Sequence, residues 1–208
     1  MIDRFYKKIS AWEFRCLSLV GRVILAQSVL SQMVFYWAHI FFLPASIIHK
    51  MNKISANFIW GGKSHQKKYH LSRLEKIASP KSSGGWGLLD LRVFGKALLC
   101  KSLWRGIFGE GSWSKCIKKK YMKGRDIEFW YRKGRIGTKY GSTIWLSFWK
   151  IEQYFLNNLK WKLQYGNKIL IGIDPIMGGR KGISIPDELL NFLHRVGIFT
   201  WDMLILAW

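Results

Sequence analysis

The sequence predicts a mainly α-helical fold, and three observations carry that expectation. Apolar residues recur every three to four positions in several separate stretches, the spacing that lines one face of a helix. Clusters of glycine, serine and proline punctuate those stretches where helices would end. Period-two alternation, the mark of a strand, is confined to a short segment beginning at Lys160, where a β-hairpin is expected.

Residues 12–43 read as helical, with Ser18 as an N-cap inside a broken start. Pro44 ends that run. A second helix is expected over 45–58, where Ile47, Met51, Ile54 and Phe58 keep helical spacing. Gly61-Gly62 stops it, and 63–68 reads as a basic loop. A short helix is expected over 71–78, before Ser79-Pro80. Gly84-Gly85-Trp86-Gly87 then makes a tight connection. A phosphate-cradling loop is the sharper reading of those glycines, but no Lys-Ser/Thr follows and no strand pattern precedes them. Residues 90–108 read as a helix apolar nearly all round. Its pairs Arg92/Lys96 and Lys101/Arg105 fall on opposite sides, as suits a helix packed between neighbours.

The next segment separates its faces. Trp113, Ile117 and Tyr121 recur at one spacing of four and Lys115, Lys119 and Lys123 at another, with Lys118 beside them. One face packs and the other is cationic. Arg125, Arg132, Lys133, Arg135 and Lys139 follow, interleaved with Phe129, Trp130, Tyr131 and Tyr140. Cations neutralise phosphates and aromatics offer stacking surfaces for bases, although each ring taken alone reads more readily as core. Ile144, Phe148, Ile151 and Phe155 mark another amphipathic helix. The expected hairpin runs from the alternating 160–165 through Gly166-Asn167 and returns over 168–173. A glycine-rich stretch around 178–182 precedes a last helix, whose start is marked by Pro186-Asp187-Glu188. Those two acids read as first-turn charges rather than a metal pair.

Composition narrows the function. Lys and Arg number 34 against 12 Asp and Glu, a formal net charge of +22, while 49% of the residues are hydrophobic. The second figure excludes a disordered polybasic tail, and the first points to a polyanionic partner, DNA or RNA before an anionic membrane. Cys16, Cys100 and Cys116 are too far apart to form metal spacings or a disulfide framework, which fits a reducing compartment. No apolar signal segment opens the chain, so a nuclear or cytoplasmic rather than secreted protein is expected. Residues 23–48 lack any charged side chain and are long enough to span a bilayer. Gln27, Ser28, Ser31, Gln32 and His39 interrupt them, so a buried core helix is the favoured reading. No cofactor is expected. His65 and His70 have no cysteine pair near them, Asp126/Glu128 is the lone acid pair two residues apart, and no Ser or Cys sits in a nucleophile motif.

Several short motifs then occur in order. They are W-x4-LS-x2-GR at Trp12, Leu17-Ser18 and Gly21-Arg22, followed by Val29-Leu30, and Phe58-Ile59-Trp60-Gly61-Gly62. Next come Lys67-Lys68 with His70, and Pro80-Lys81 with the glycine turn. Ala97-Leu98-Leu99, Lys101 and Leu103-Trp104-Arg105 follow, and then Lys120-Tyr121. Together they resemble the region after the catalytic palm in plant LINE-type (non-LTR retrotransposon) reverse transcriptases. The resemblance implies a thumb-like helical region over 1–60 and a basic helical connector with short strands over 61–177. A C-terminal helical segment over 178–208 would open the next, zinc-binding or ribonuclease-H-like, module. It also implies that the metal-binding aspartates lie upstream, so a non-catalytic chain is expected. Such a thumb grips primer–template by its backbone and meets the palm and fingers of the same polymerase. The expected contacts are Lys115, Lys118, Lys119, Lys123, Arg125 and Arg132, with Arg22, Lys67 and Lys68 secondary. Departures stand at Val34, where the family carries Pro, and at Leu74, Ala78, Gly172 and Ile176. They suit a decayed or repurposed copy, so an adaptor that docks a protein partner through bared apolar surface is the rival reading, and membrane association through 23–48 the third.

Overall fold

The computed structural model describes residues 2–13, 17–61, 69–162, 167–174 and 185–206. The described chain is mainly helical, as expected: eleven α-helices and no strand among the described residues. Two compact units divide it, residues 1–104 and 105–208, and the division falls within one helix, inside the stretch expected as connector.

In the first unit, helix α1 (Ile2–Glu13) buries Phe5 and Ile9, one turn apart. Ser18 caps the next helix as predicted, its hydroxyl accepting from the Gly21 amide at 3.2 Å. That helix is continuous from 19 to 38 but changes pitch. A π-turn (Ala26–Leu30) separates α2 (Leu19–Leu25) from α3 (Ser31–Ala38), and the Ser31 hydroxyl donates to the Ala26 carbonyl at 3.1 Å. With Val34 in place of proline the run is unbroken. A helix buried in a core is only half right, however. Leu30, Val34, Phe35 and Ala38 are buried, whereas Val20, Ile24 and Tyr36 are more than half exposed. By length and composition alone, Leu19–Ala38 could cross a membrane.

Helix α4 (Ala45–Ile59) begins at Pro44 and buries Met51, Ile54 and Phe58 against that core. A short α5 (Leu74–Ile77) leads into the glycine turn. Gly84 and Gly87 have φ of +78° and +69°, values that L side chains rarely adopt. The amides of Gly85, Trp86 and Gly87 donate to the carbonyls of Pro80, Ile77 and Ser79. Those donors are therefore spent on the turn, not held out for a phosphate. Helix α6 (Leu91–Phe108) starts at Asp90, whose carboxylate accepts from the Arg92 amide at 2.7 Å. One stripe of α6 is buried (Leu91, Gly95, Leu99, Leu103 and Ile107), while Val93, Trp104 and Phe108 are exposed. The expectation of burial on every side is corrected to one face. Burial pushes the Cys100 thiol up to about 11 against the pull of Lys96, so it stays protonated; Cys100 and Cys116 are both free thiols.

The second unit holds α7 (Ser112–Lys120), α8 (Ile127–Lys133), α9 (Thr143–Asn158), α10 (Asp187–Arg195) and α11 (Trp201–Leu206). Its centre is a parallel stack of Tyr121 on Trp145, with ring centroids 4.1 Å apart and an interplanar angle of 1°. The hairpin over 160–173 is not what its described residues form; 163–166 lie outside them, as does the glycine-rich 178–182. Leu170 bridges Thr200 instead, and the Ile171 amide donates to the Phe199 carbonyl at 3.0 Å. The reason is local. Asp174 folds residues 170–174 into a turn, its carboxylate accepting from the Leu170 amide while its own amide donates to the Leu170 carbonyl.

The glycine turn gives a paired prediction. A Cβ at Gly85 would lie 2.0 Å from the Ser79 carbonyl oxygen, whereas one at Gly84 meets nothing within 4 Å and adds only backbone strain. Gly85→Ala is expected to destabilise the protein by about 2–3 kcal/mol, and Gly84→Ala by about 1 kcal/mol. Urea unfolding followed by tryptophan fluorescence measures both, and the order of the two losses is the test.

Candidate nucleic-acid interface

The basic surface is built from α7 and the turn that follows it. Ile117 is buried and packs closely on Gly106, where a Cβ would come within 2.6 Å of its δ-carbon. At about 100° per residue, Lys115 and Lys119 then lie on the opposite side of the helix and Lys118 on its flank. All three are exposed. Lys118 folds back, and its ammonium donates to the Gly109 carbonyl at 3.2 Å. Lys120 turns the other way and sits 5.4 Å over the Tyr121 ring.

The turn that follows α7 holds two left-handed residues, Lys123 at φ +52° and Gly124 at φ +70°. The Gly124 amide reaches the Lys118 carbonyl and the Met122 amide the Ile117 carbonyl, which closes the last turn. Lys123 is the one non-glycine residue with positive φ among the described residues, a conformation that is costly for a side chain. Among those residues, none of Lys115, Lys119 and Lys123 is in an ion pair.

The stack beneath positions this turn. The Tyr121 hydroxyl bonds the Ser142 hydroxyl at 3.1 Å and accepts from the Ser142 amide at 3.2 Å, and Ser142 in turn caps α9. The Trp145 indole donates to the Thr138 carbonyl at 2.6 Å. Gly137 and Gly141 leave room for the rings: a Cβ at either would come within 2.6 Å of one. Burial works to raise the Tyr121 pKa, but the two bonds from Ser142 and the Lys120 charge outweigh it, and the net direction is down.

The remaining expected residues have different surroundings. Arg125 lies 4.2 Å over the face of Phe129 and Lys133 4.7 Å from the same ring, so that ring is covered by cations. Trp130 and Tyr131 are core, and the Trp130 indole donates to the Met122 carbonyl. Tyr140 is 81% exposed, the one ring of this segment open as a platform. Arg132 lies at the surface but is engaged by the fold. It meets the buried Asp174 carboxylate at 2.8 Å and the Lys168 carbonyl at 2.8 Å. Arg22 lies in the other unit against Gly61, where α4 ends, a position that favours a cation. Lys67 and Lys68 lie outside the described residues.

Sequence reading missed the Arg132–Asp174 pair. The available signal was that Asp174 is the lone carboxylate between Glu152 and Asp187. Among the described residues, no three His, Cys, Asp or Glu side chains converge as metal ligands. Asp126 and Glu128 open α8, Asp187 and Glu188 open α10, and the His70 ring donates to Asn57 at 2.8 Å.

The chain is similar to a protein of Arabidopsis thaliana described as "Putative ribonuclease H protein", with 32% identity over 153 residues. The match covers 72% of this chain and 23% of the relative, so the chain spans about a quarter of that protein's length. No family model matches the chain, and no solved structure does.

If Arg132 is a structural cation and Lys115 a surface one, their removal will differ in stability. Arg132→Ala strands a buried carboxylate and is expected to cost about 3 kcal/mol; Lys115→Ala is expected to cost about 0.5 kcal/mol or less. Equal losses in urea titrations would count against this assignment.

Proposed function

We propose that the chain is a non-catalytic segment of a LINE-type reverse transcriptase that holds DNA or RNA by its phosphate backbone, without regard to sequence. The observation that carries this reading is the face of α7 opposite Ile117. There Lys115 and Lys119, followed by Lys123, stand in solvent with no carboxylate paired to them among the described residues. Three cations at this spacing match successive phosphates better than any small anion, and a backbone grip needs no base-reading groups. The excess of 22 positive charges draws the polyanion from a distance. The ordered motifs of the sequence support the origin, and the name of the Arabidopsis relative is that of a nucleic-acid enzyme.

Within this reading the cations divide by role. Lys115, Lys119 and Lys123 contact phosphates, with Lys118 at the edge of the set. Arg125 and Lys133 stiffen the surface through Phe129, and Tyr140 offers a ring to an unpaired base. Arg132 serves the fold through the buried Asp174.

Fluorescence anisotropy with labelled duplex and single-stranded oligonucleotides, across about 50 to 200 mM salt, tests the proposal. Affinity should fall linearly on logarithmic axes. The Lys115→Gln, Lys119→Gln, Lys123→Gln triple variant should reduce the slope by about 2–3. No binding at low salt, or an unchanged slope in the triple variant, overturns it. Lys123→Gly separates function from stability at one position. Relief of the left-handed strain should stabilise the protein by about 1 kcal/mol, while loss of the charge reduces the salt slope by about 1. A variant that is more stable and binds with the parent's slope would remove Lys123 from the interface.

A further inference from the structure

We infer that the first unit carries a second, separate site: a cavity of about 370 Å³ between α4, the segment 70–78 and the start of α6, suited to a nucleotide. Its volume falls within the range of small-molecule sites. The wall supplied by α4 presents His49, Asn52 and Lys53, which at i, i+3 and i+4 share one face of the helix. His70 and Arg73 line it from the segment before α5, and Arg92 from the first turn of α6. Three separate pieces of chain thus bring permanent cations or imidazoles to one concavity.

The floor has a different chemistry. Ala56, Ile59, Leu88 and Leu91 are buried and line the same space. A cavity with an apolar floor and a cationic rim suits a ligand that is flat and apolar at one end and anionic at the other. A nucleotide has that division, with its base against the floor and its phosphate among Lys53, Arg73 and Arg92.

Two further features fit an open site. Ala26 and Ser31 line the cavity, and the bond between the Ser31 hydroxyl and the Ala26 carbonyl spans the π-turn. Single π-turns of this kind concentrate at functional sites. Among the described residues the lining holds one carboxylate, Asp90, which accepts from the amides of Arg92 and Val93 at the start of α6 and is outnumbered by Lys53, Arg73 and Arg92. The His70 ring is held by Asn57. This site does not rest on the α7 reading, because none of its residues belongs to the second unit.

A free nucleotide and the end of a nucleic-acid strand would bring the same chemistry. Isothermal titration of the full chain with adenosine 5′-monophosphate, adenosine and inorganic phosphate comes first. The monophosphate should bind at least about tenfold more tightly than either part alone, since both ends of the cavity contribute. Lys53→Gln and Arg73→Gln should each weaken it about tenfold. Lys50→Gln removes the same charge from the same helix outside the lining and should leave affinity unchanged. Arg92→Gln, checked by circular dichroism for an intact fold, is an independent variant should Arg73→Gln unfold.

Competition with a 5′-phosphorylated single strand identifies the source. Displacement of the monophosphate means a strand end occupies the cavity, and retention means a free nucleotide does; either supports the site. Monophosphate binding no tighter than phosphate alone, or equal loss in Lys50→Gln and Lys53→Gln, overturns it.

Discussion

Carboxylates are the scarce resource of this chain, and where they are placed decides which cations remain available. Twelve acids face 34 bases. Asp3, Asp126, Glu128, Asp187, Glu188 and Asp202 stand at helix starts, where a negative charge offsets the exposed amides and the helix dipole. Asp90 accepts two amides at the start of α6. Glu152 is buried and accepts from the Ile136 amide, and Asp174 is buried against Arg132 and the Leu170 amide. Most of the acids thus stand at helix starts or in buried contacts, and among the described residues the outward lysines of α7 have no ion-pair partner. Mutual repulsion among those lysines is tolerated because they lie on one solvated face while the opposite face buries Ile117.

Aromatic packing gives that face its rigidity. Tyr121 follows α7 directly, and its ring is held by Trp145 in parallel and by Gly141, while Gly137 lies against the Trp145 ring. The hydroxyl at the far edge ties to Ser142, which also starts α9. One ring therefore links the end of the lysine helix to the start of the next long helix. The left-handed Lys123 is carried by this arrangement, since the closing bonds from Met122 and Gly124 hold the turn in that conformation.

Where periodicity and chain-stopping residues agree, helix positions were legible from the sequence. The stretch 45–58 became Ala45–Ile59, and 90–108 became Leu91–Phe108. The cap at Ser18 and the glycine turn at 84–87 follow from local chemistry and were readable for that reason. The alternation after Lys160 misled, because period two is a weak sign when a nearby aspartate can close a turn instead. Asp174 does so, and its partner Arg132 lies 42 residues away. Helix α1 was read only at its end: the expected helix began at residue 12, while the observed one begins at Ile2, where Phe5 and Ile9 reach the core.

By itself the sequence determined the helical class, the cationic excess and the amphipathic division of α7, because each depends on composition or on spacing within one helix. Only the tertiary structure decided what each cation does. Arg132, Arg125 and Lys119 look alike in the sequence; one pairs with a buried carboxylate, one covers a phenyl ring and one stands in solvent. The cavity in the first unit was equally invisible, since His49, Arg73 and Arg92 belong to three stretches that no local pattern connects. The physical reason is the same in both cases. A side chain's charge is a property of its residue type, but its partner is a property of contacts between distant parts of the chain.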